Sequence, residues 1–168
     1  MTASASVLAS PRLGNFIGFA VCAALLGYAF YSQYALGLAP CPLCILQRIA
    51  VFAAGLAFLG AGVHRAGRVG AIVWGLIIGL VAAVGATIAA RHVWIAAQPP
   101  GTVAECGASL DYMLEVLPLR EVLAKVLTGS GECGKVDWRF LGLSMPAWVL
   151  ASLIALGAWG LFVNLRRR

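Results

Sequence analysis

Hydrophobic positions along the chain fall into four long runs, at about 16–36, 44–63, 69–90 and 146–163, separated by short polar breaks and one long mixed stretch. Each run is close to the ~20 residues a helix needs to cross a hydrocarbon layer roughly 30 Å thick at about 1.5 Å per residue. The first run carries no charge, and no small-residue cleavage site follows a short apolar core, so it reads as an anchor and not a signal peptide. The second is interrupted near its start by Gln47 and Arg48, a polar pair expected at the membrane edge. The segment His64-Arg65-Ala66-Gly67-Arg68 makes a tight basic turn, and Arg91 and His92 come near the far end of the third run. Trp94 and Trp148 read as interfacial anchors, and Pro146 opens the last helix. The pattern predicts an all-α membrane protein: one integral membrane domain over 1–168, a four-transmembrane-helix bundle with connections at about 37–43 and 98–145.

The long stretch from 98 to 145 has a different character. Pro99-Pro100-Gly101 breaks the helix, and every acidic residue of the chain follows: Glu105, Asp111, Glu115, Glu121, Glu132 and Asp137. Between Tyr112 and Leu127 apolar residues alternate with charges, and Pro118 divides the segment, which predicts two short amphipathic helices. They would lie on the membrane surface or pack on protein.

Composition agrees with a lipid setting, since 62% of residues are hydrophobic and only 11% charged. The net charge of +6 does not point to nucleic acid, because the basic residues form no stripe and no aromatic-rich face accompanies them. It describes orientation instead. Arg12, Arg65, Arg68, Arg166, Arg167 and Arg168 flank the hydrophobic runs, as positive charge does on the cytoplasmic side. Both termini are then cytoplasmic, and the 37–43 connection and the acidic loop share the outer, oxidising side.

Four of the five cysteines lie on that outer side. Cys41 and Cys44 are two residues apart at the start of the second helix, where the helix dipole favours a thiolate and Pro42 fits the first turn. The same spacing is half of a zinc site, but a second CxxC or a close histidine pair is missing, so no metal is expected. An inert structural disulfide is the other bland reading. Cys106 and Cys133 enclose the amphipathic segment, and a bridge between them would stabilise the loop by around 3 kcal/mol in the chain-entropy model. Cys133, within Gly131-Glu132-Cys133-Gly134, is expected to be polar-flanked and reachable by an incoming thiolate. Two pairs on one face permit an electron relay by thiol–disulfide exchange. No residues suggest haem, flavin or iron–sulfur binding, which leaves a quinone in the bilayer as acceptor. Arg48, four residues after Cys44, shares its helix face and suits a quinone oxygen or a thiolate, against the rival role of an interfacial charge. His92 would donate to the same quinone if the third helix packs beside the second; otherwise it is simply solvated. Cys22, deep in the first run, reads as a small apolar residue.

These residues resemble the disulfide bond formation protein B (DsbB) family. The resemblance rests on Cys41-Pro42-Leu43-Cys44-Ile45-Leu46-Gln47-Arg48, the paired loop cysteines, and the segment Trp138-Arg139-Phe140-Leu141-Gly142-Leu143-Ser144-Met145-Pro146-Ala147-Trp148. It implies a bacterial inner-membrane enzyme that reoxidises a periplasmic DsbA-like dithiol oxidase and passes electrons to ubiquinone or menaquinone. On that analogy Cys106 forms the mixed disulfide with the partner and Cys133 is its companion. Cys41 receives electrons from the loop, Cys44 contacts the quinone, and Arg48 matches the quinone-site arginine. One departure is Gln47, where some relatives carry an acidic residue. Two alternatives stand beside this reading. A vitamin K epoxide reductase-like enzyme would carry its CxxC late in the bundle, and a non-catalytic membrane scaffold would use its disulfides only as braces.

Overall fold

A computed structural model describes residues 10–64, 67–99, 110–128, 131–134 and 138–166. Among these, four helices are long and apolar enough to cross a membrane: α1 (Pro11–Tyr34), α2 (Pro42–Val63), α3 (Arg68–Ala96) and α6 (Met145–Leu165). The fold is the expected all-α, four-span membrane bundle. The helices run a few residues past the hydrophobic runs, and α3 continues through Arg91 and His92 to Ala96, one further turn of apolar sequence. Local chemistry sets the starts. The Ser10 hydroxyl accepts from the Leu13 amide at 3.3 Å ahead of Pro11, and the Cys41 sulfur accepts from the Cys44 amide at 3.4 Å ahead of Pro42. In each case the proline occupies a first-turn position whose missing N–H leaves no bond unmade.

Lipid tails are as apolar as the helices, so burial from water cannot hold such a bundle together, and close packing must. The most extensive contact is α3 against α6, followed by α1 with α2 and α2 with α3. Small residues allow the approach: a Cβ added at Gly157 would stand 3.0 Å from that of Ala82, and one at Gly85 would stand 2.8 Å from that of Ala50. Phe58, Ile78 and Leu153 fill the centre with no exposed surface. At one end of the bundle, Asn15 and Asn164 exchange amide hydrogen bonds of 3.2 and 3.0 Å. There the Trp159 indole donates to the Gly14 carbonyl at 2.9 Å, and Arg12 donates to the Gly62 carbonyl at 3.2 Å.

The opposite end carries the loop. Two short helices, α4 (Leu110–Val116) and α5 (Leu119–Thr128), meet at Pro118, as the amphipathic pattern predicts. Of the two placements, packing on protein is observed for their inner face. Met113, Val122 and Val126 are buried in one cluster with Cys41, Leu43, Ile95 and Cys133, while Tyr112, Val116 and Leu119 are exposed. A 3-10 turn (Gly131–Gly134) and a hairpin of β1 (Arg139–Phe140) and β2 (Leu143–Ser144) lead into α6. The hairpin, which the hydrophobic pattern does not predict, turns through Leu141 and Gly142, both at positive φ (51° and 80°). Two such residues in succession give the turn whose twist matches that of paired strands.

Candidate functional site

The site lies where the N-terminus of α2, the C-terminal turns of α3 and the 3-10 turn converge. Cys41 is its centre. Its sulfur is 3.0 Å from that of Cys44 and 3.7 Å from His92 Nε2, and the Cys41, His92 and Cys133 ligand atoms all lie within 4.8 Å of one another. Cys41 and Cys44 are therefore shown as a dithiol. Hydrogen bonding with Cys133, then with Cys44, pushes the Cys41 thiol above its ordinary value, and burial adds to this.

Cys133 is 1% exposed, which corrects the expectation of a sulfur open to an incoming thiolate. The inner faces of α4 and α5 and the ends of α2 and α3 close over it with Leu43, Ile95, Met113, Val122 and Val126. The flanking Gly131 and Gly134 had suggested an open loop, but the apolar residues that cover the sulfur come from four other helices. Cys106 lies outside the described residues.

Gln47 and Arg48, in the first turns of α2, both face protein. Gln47 extends the buried stripe of α2 formed by Val51, Ala54, Phe58 and Ala61, and its amide nitrogen is 2.9 Å from His92 Nδ1. Arg48, one residue on, faces α1, donating to the Gln33 side-chain oxygen and to the Ala29 carbonyl at 3.0 Å, with its guanidinium 5.5 Å from the Phe30 ring centre. His92 is buried at 3% exposure, so the solvated reading is wrong for it. The top of α3 does pack beside α2, the condition set for His92 to join the site. A signal for this was available. Buried small residues recur along α3 at Ala71, Gly75, Ala82, Gly85 and Ala89, and His92 continues that stripe toward the cysteines.

A cavity of about 190 Å³ opens beside this cluster, and Cys41, Cys44, Arg48 and His92 all contribute to its wall. Opposite them stand Trp138, Met145, Pro146 and Trp148. That gives the segment before α6 a structural purpose which its sequence alone did not reveal. The hairpin stacks Trp138 on Phe140 at 6.0 Å and Phe140 against Trp148 at 6.1 Å, and the Trp148 indole donates to the Phe140 carbonyl at 3.1 Å. Tyr28 of α1 meets Trp138 edge-on at 6.0 Å. The sequence marks Trp148 only as a membrane anchor and carries no signal that would place Gln33, Trp138 or Tyr28 at the site.

Chemically, the arrangement offers a thiol that can exchange on either side, with Cys44 toward the cavity and Cys133 toward the loop. Comparison with known proteins agrees with that chemistry. Residues 11–163 match the family model described as Disulfide bond formation protein DsbB. A protein named Disulfide bond formation protein B from Methylococcus capsulatus is 50% identical over 154 residues, covering 92% of this chain and 94% of its own. Proteins of the same name from Chromobacterium violaceum and Marinobacter nauticus are 45% and 48% identical, over 94% and 89% of this chain and 95% and 89% of theirs.

Proposed function

This chain belongs to the DsbB family of membrane oxidoreductases, and we propose that it carries electrons from a periplasmic DsbA-like dithiol oxidase, through its two cysteine pairs, to ubiquinone or menaquinone in the bacterial inner membrane. The observation that carries the reading is the position of Cys41, close to Cys133 and 3.0 Å from Cys44, whose other side is the cavity. Exchange starts when a partner thiolate attacks Cys106 of a Cys106–Cys133 disulfide, forming the mixed disulfide and releasing Cys133 as a thiolate. Cys133 then attacks Cys41 of a Cys41–Cys44 disulfide, and Cys44 leaves as the thiolate. The partner's second thiol resolves the mixed disulfide and leaves oxidised, freeing Cys106. Cys106 attacks Cys133, restoring the loop disulfide and leaving Cys41 and Cys44 as a dithiol. A quinone held beside Cys44 would supply a two-electron, two-proton acceptor, and Cys41 and Cys44, giving up both electrons and both protons, would close their disulfide again.

The residues present suit such an acceptor. Arg48 supplies cationic donors beside the His92 ring, while the aromatic wall at Trp138 and Trp148 suits a flat ring. Arg48 is already oriented by Gln33 and Ala29, so little side-chain freedom remains to be lost when a ligand oxygen arrives. Cys44 starts in the first turn of α2, where the helix dipole favours negative charge on sulfur.

The test is quinone reduction by purified protein supplied with a reduced DsbA-like oxidase. Activity in the wild type and its loss to background in Cys44→Ser is the expected result. Quinone reduction no faster than background in wild type and Cys44→Ser alike would support the scaffold reading instead, and activity undiminished in Cys44→Ser would remove Cys44 from the route.

A further inference from the structure

We propose that the reduced protein is also a metal site, in which Cys41, Cys133 and His92 capture a thiophilic d10 cation such as Zn2+ and thereby block thiol exchange. Tetrahedral zinc, with Zn–S near 2.3 Å and Zn–N near 2.0 Å, sets its sulfur and nitrogen ligands about 3.5 to 3.8 Å apart. The His92 Nε2 to Cys41 sulfur distance is 3.7 Å, and the third ligand atom falls within the same 4.8 Å limit. The mutually close donors are these three, which leaves the fourth tetrahedral position to a solvent molecule. All three core ligands are buried, and the cavity that Cys41 and His92 line gives an ion a way in.

Gln47 completes the arrangement. A metal-bound histidine uses one ring nitrogen for the ion and donates from the other to a neighbouring acceptor. His92 turns Nε2 toward Cys41 and Nδ1 toward the Gln47 amide, whose oxygen and nitrogen can exchange places by a flip of the amide. With the oxygen facing Nδ1–H, the Nε2 lone pair is free for the ion. The donors lie at positions 41, 92 and 133, which is why spacing along the chain showed only half of a zinc motif. Capture involves no electron transfer: Zn2+ replaces the protons of the Cys41 and Cys133 thiols, which pass to solvent, so affinity rises with pH. Oxidation of either cysteine removes a ligand. The site therefore exists only in the reduced protein and depends neither on the quinone nor on the order of exchange.

The test uses the full chain in detergent, stripped of quinone and reduced with a phosphine. Zn2+ is titrated against a chromophoric chelator, and Co2+ serves as a spectroscopic probe. One Zn2+ per reduced chain is expected, with a tetrahedral Co2+ spectrum carrying sulfur charge-transfer bands. Affinity should fall at least about tenfold in His92→Ala, in Cys133→Ser and in the oxidised protein, and less in Gln47→Leu. In the wild type, Zn2+ should slow alkylation of Cys133, a readout that needs no variant to fold. Unchanged alkylation of Cys133, absence of binding to the reduced wild type, or loss of affinity in Cys106→Ser with none in His92→Ala would each overturn the proposal.

Discussion

Gln47 and His92 form the polar contact on which the site's geometry depends. Both are nearly inaccessible, and the 2.9 Å bond between them fixes which ring nitrogen faces Cys41. Removing one member of a buried pair costs more than the bond itself, because the remaining group stays desolvated without a partner. Gln47→Leu should therefore lower stability by about 1–3 kcal/mol. Replacing both residues, Gln47→Leu with His92→Leu, should recover part of that loss, since no polar group is then left unmatched. Thermal unfolding of the three variants in detergent checks this as a double-mutant cycle. Additive losses would mean that the two side chains do not depend on each other.

Among the elements, the β1–β2 hairpin links sequence signature to site geometry most directly. Its two-residue turn holds Leu141 at φ 51° and Gly142 at φ 80°, and its Phe140 contacts both Trp138 and Trp148, which line the cavity. A left-handed conformation costs a residue with a Cβ roughly 1–2 kcal/mol, a penalty that Leu141 bears and Gly142 escapes. Gly142→Ala should lose about that much stability, and Leu141→Gly should change it in the opposite direction or leave it nearly unaltered. Unfolding temperature is the first measurement. The KM for the proposed quinone acceptor, expected to rise in Gly142→Ala, shows whether the hairpin shapes the cavity for it. The four long helices and the Pro118 break were legible because each follows from local sequence: run length, charge gaps and a missing amide hydrogen. The hairpin was not, because two-residue strands are too short for alternation to register, and Leu at positive φ runs against its own preference. Likewise the inward turn of Gln47 was hidden by a helix apolar on all sides, where periodicity marks no single face.

At the scale of the whole molecule, the bundle separates two chemistries by the length of its helices. Cys41, Cys44, His92 and Cys133 gather at one end, with the aromatic wall of the hairpin. Arg12, Arg68 and Arg166 lie at the other, together with the Asn15–Asn164 pair. The cysteine positions were readable from sequence, but their meeting was not, since Cys41, His92 and Cys133 are brought together only by the packing of α2, α3 and the loop. The bias of positive charge toward the cytoplasm predicts that the arginine end is cytoplasmic, and the proposed thiol exchange with a periplasmic partner requires the same orientation of the cysteine end. Two independent arguments thus predict one topology. In a variant without native cysteines, Leu36→Cys and Gly67→Cys each place a single thiol at an exposed position, one at each end. Gly67 has open space around it and negative φ, so the substitution there is unstrained. A membrane-impermeant maleimide applied to intact spheroplasts should label Leu36→Cys and spare Gly67→Cys until the membrane is opened. The reverse pattern would place the redox cysteines in the reducing compartment and remove the basis for disulfide export.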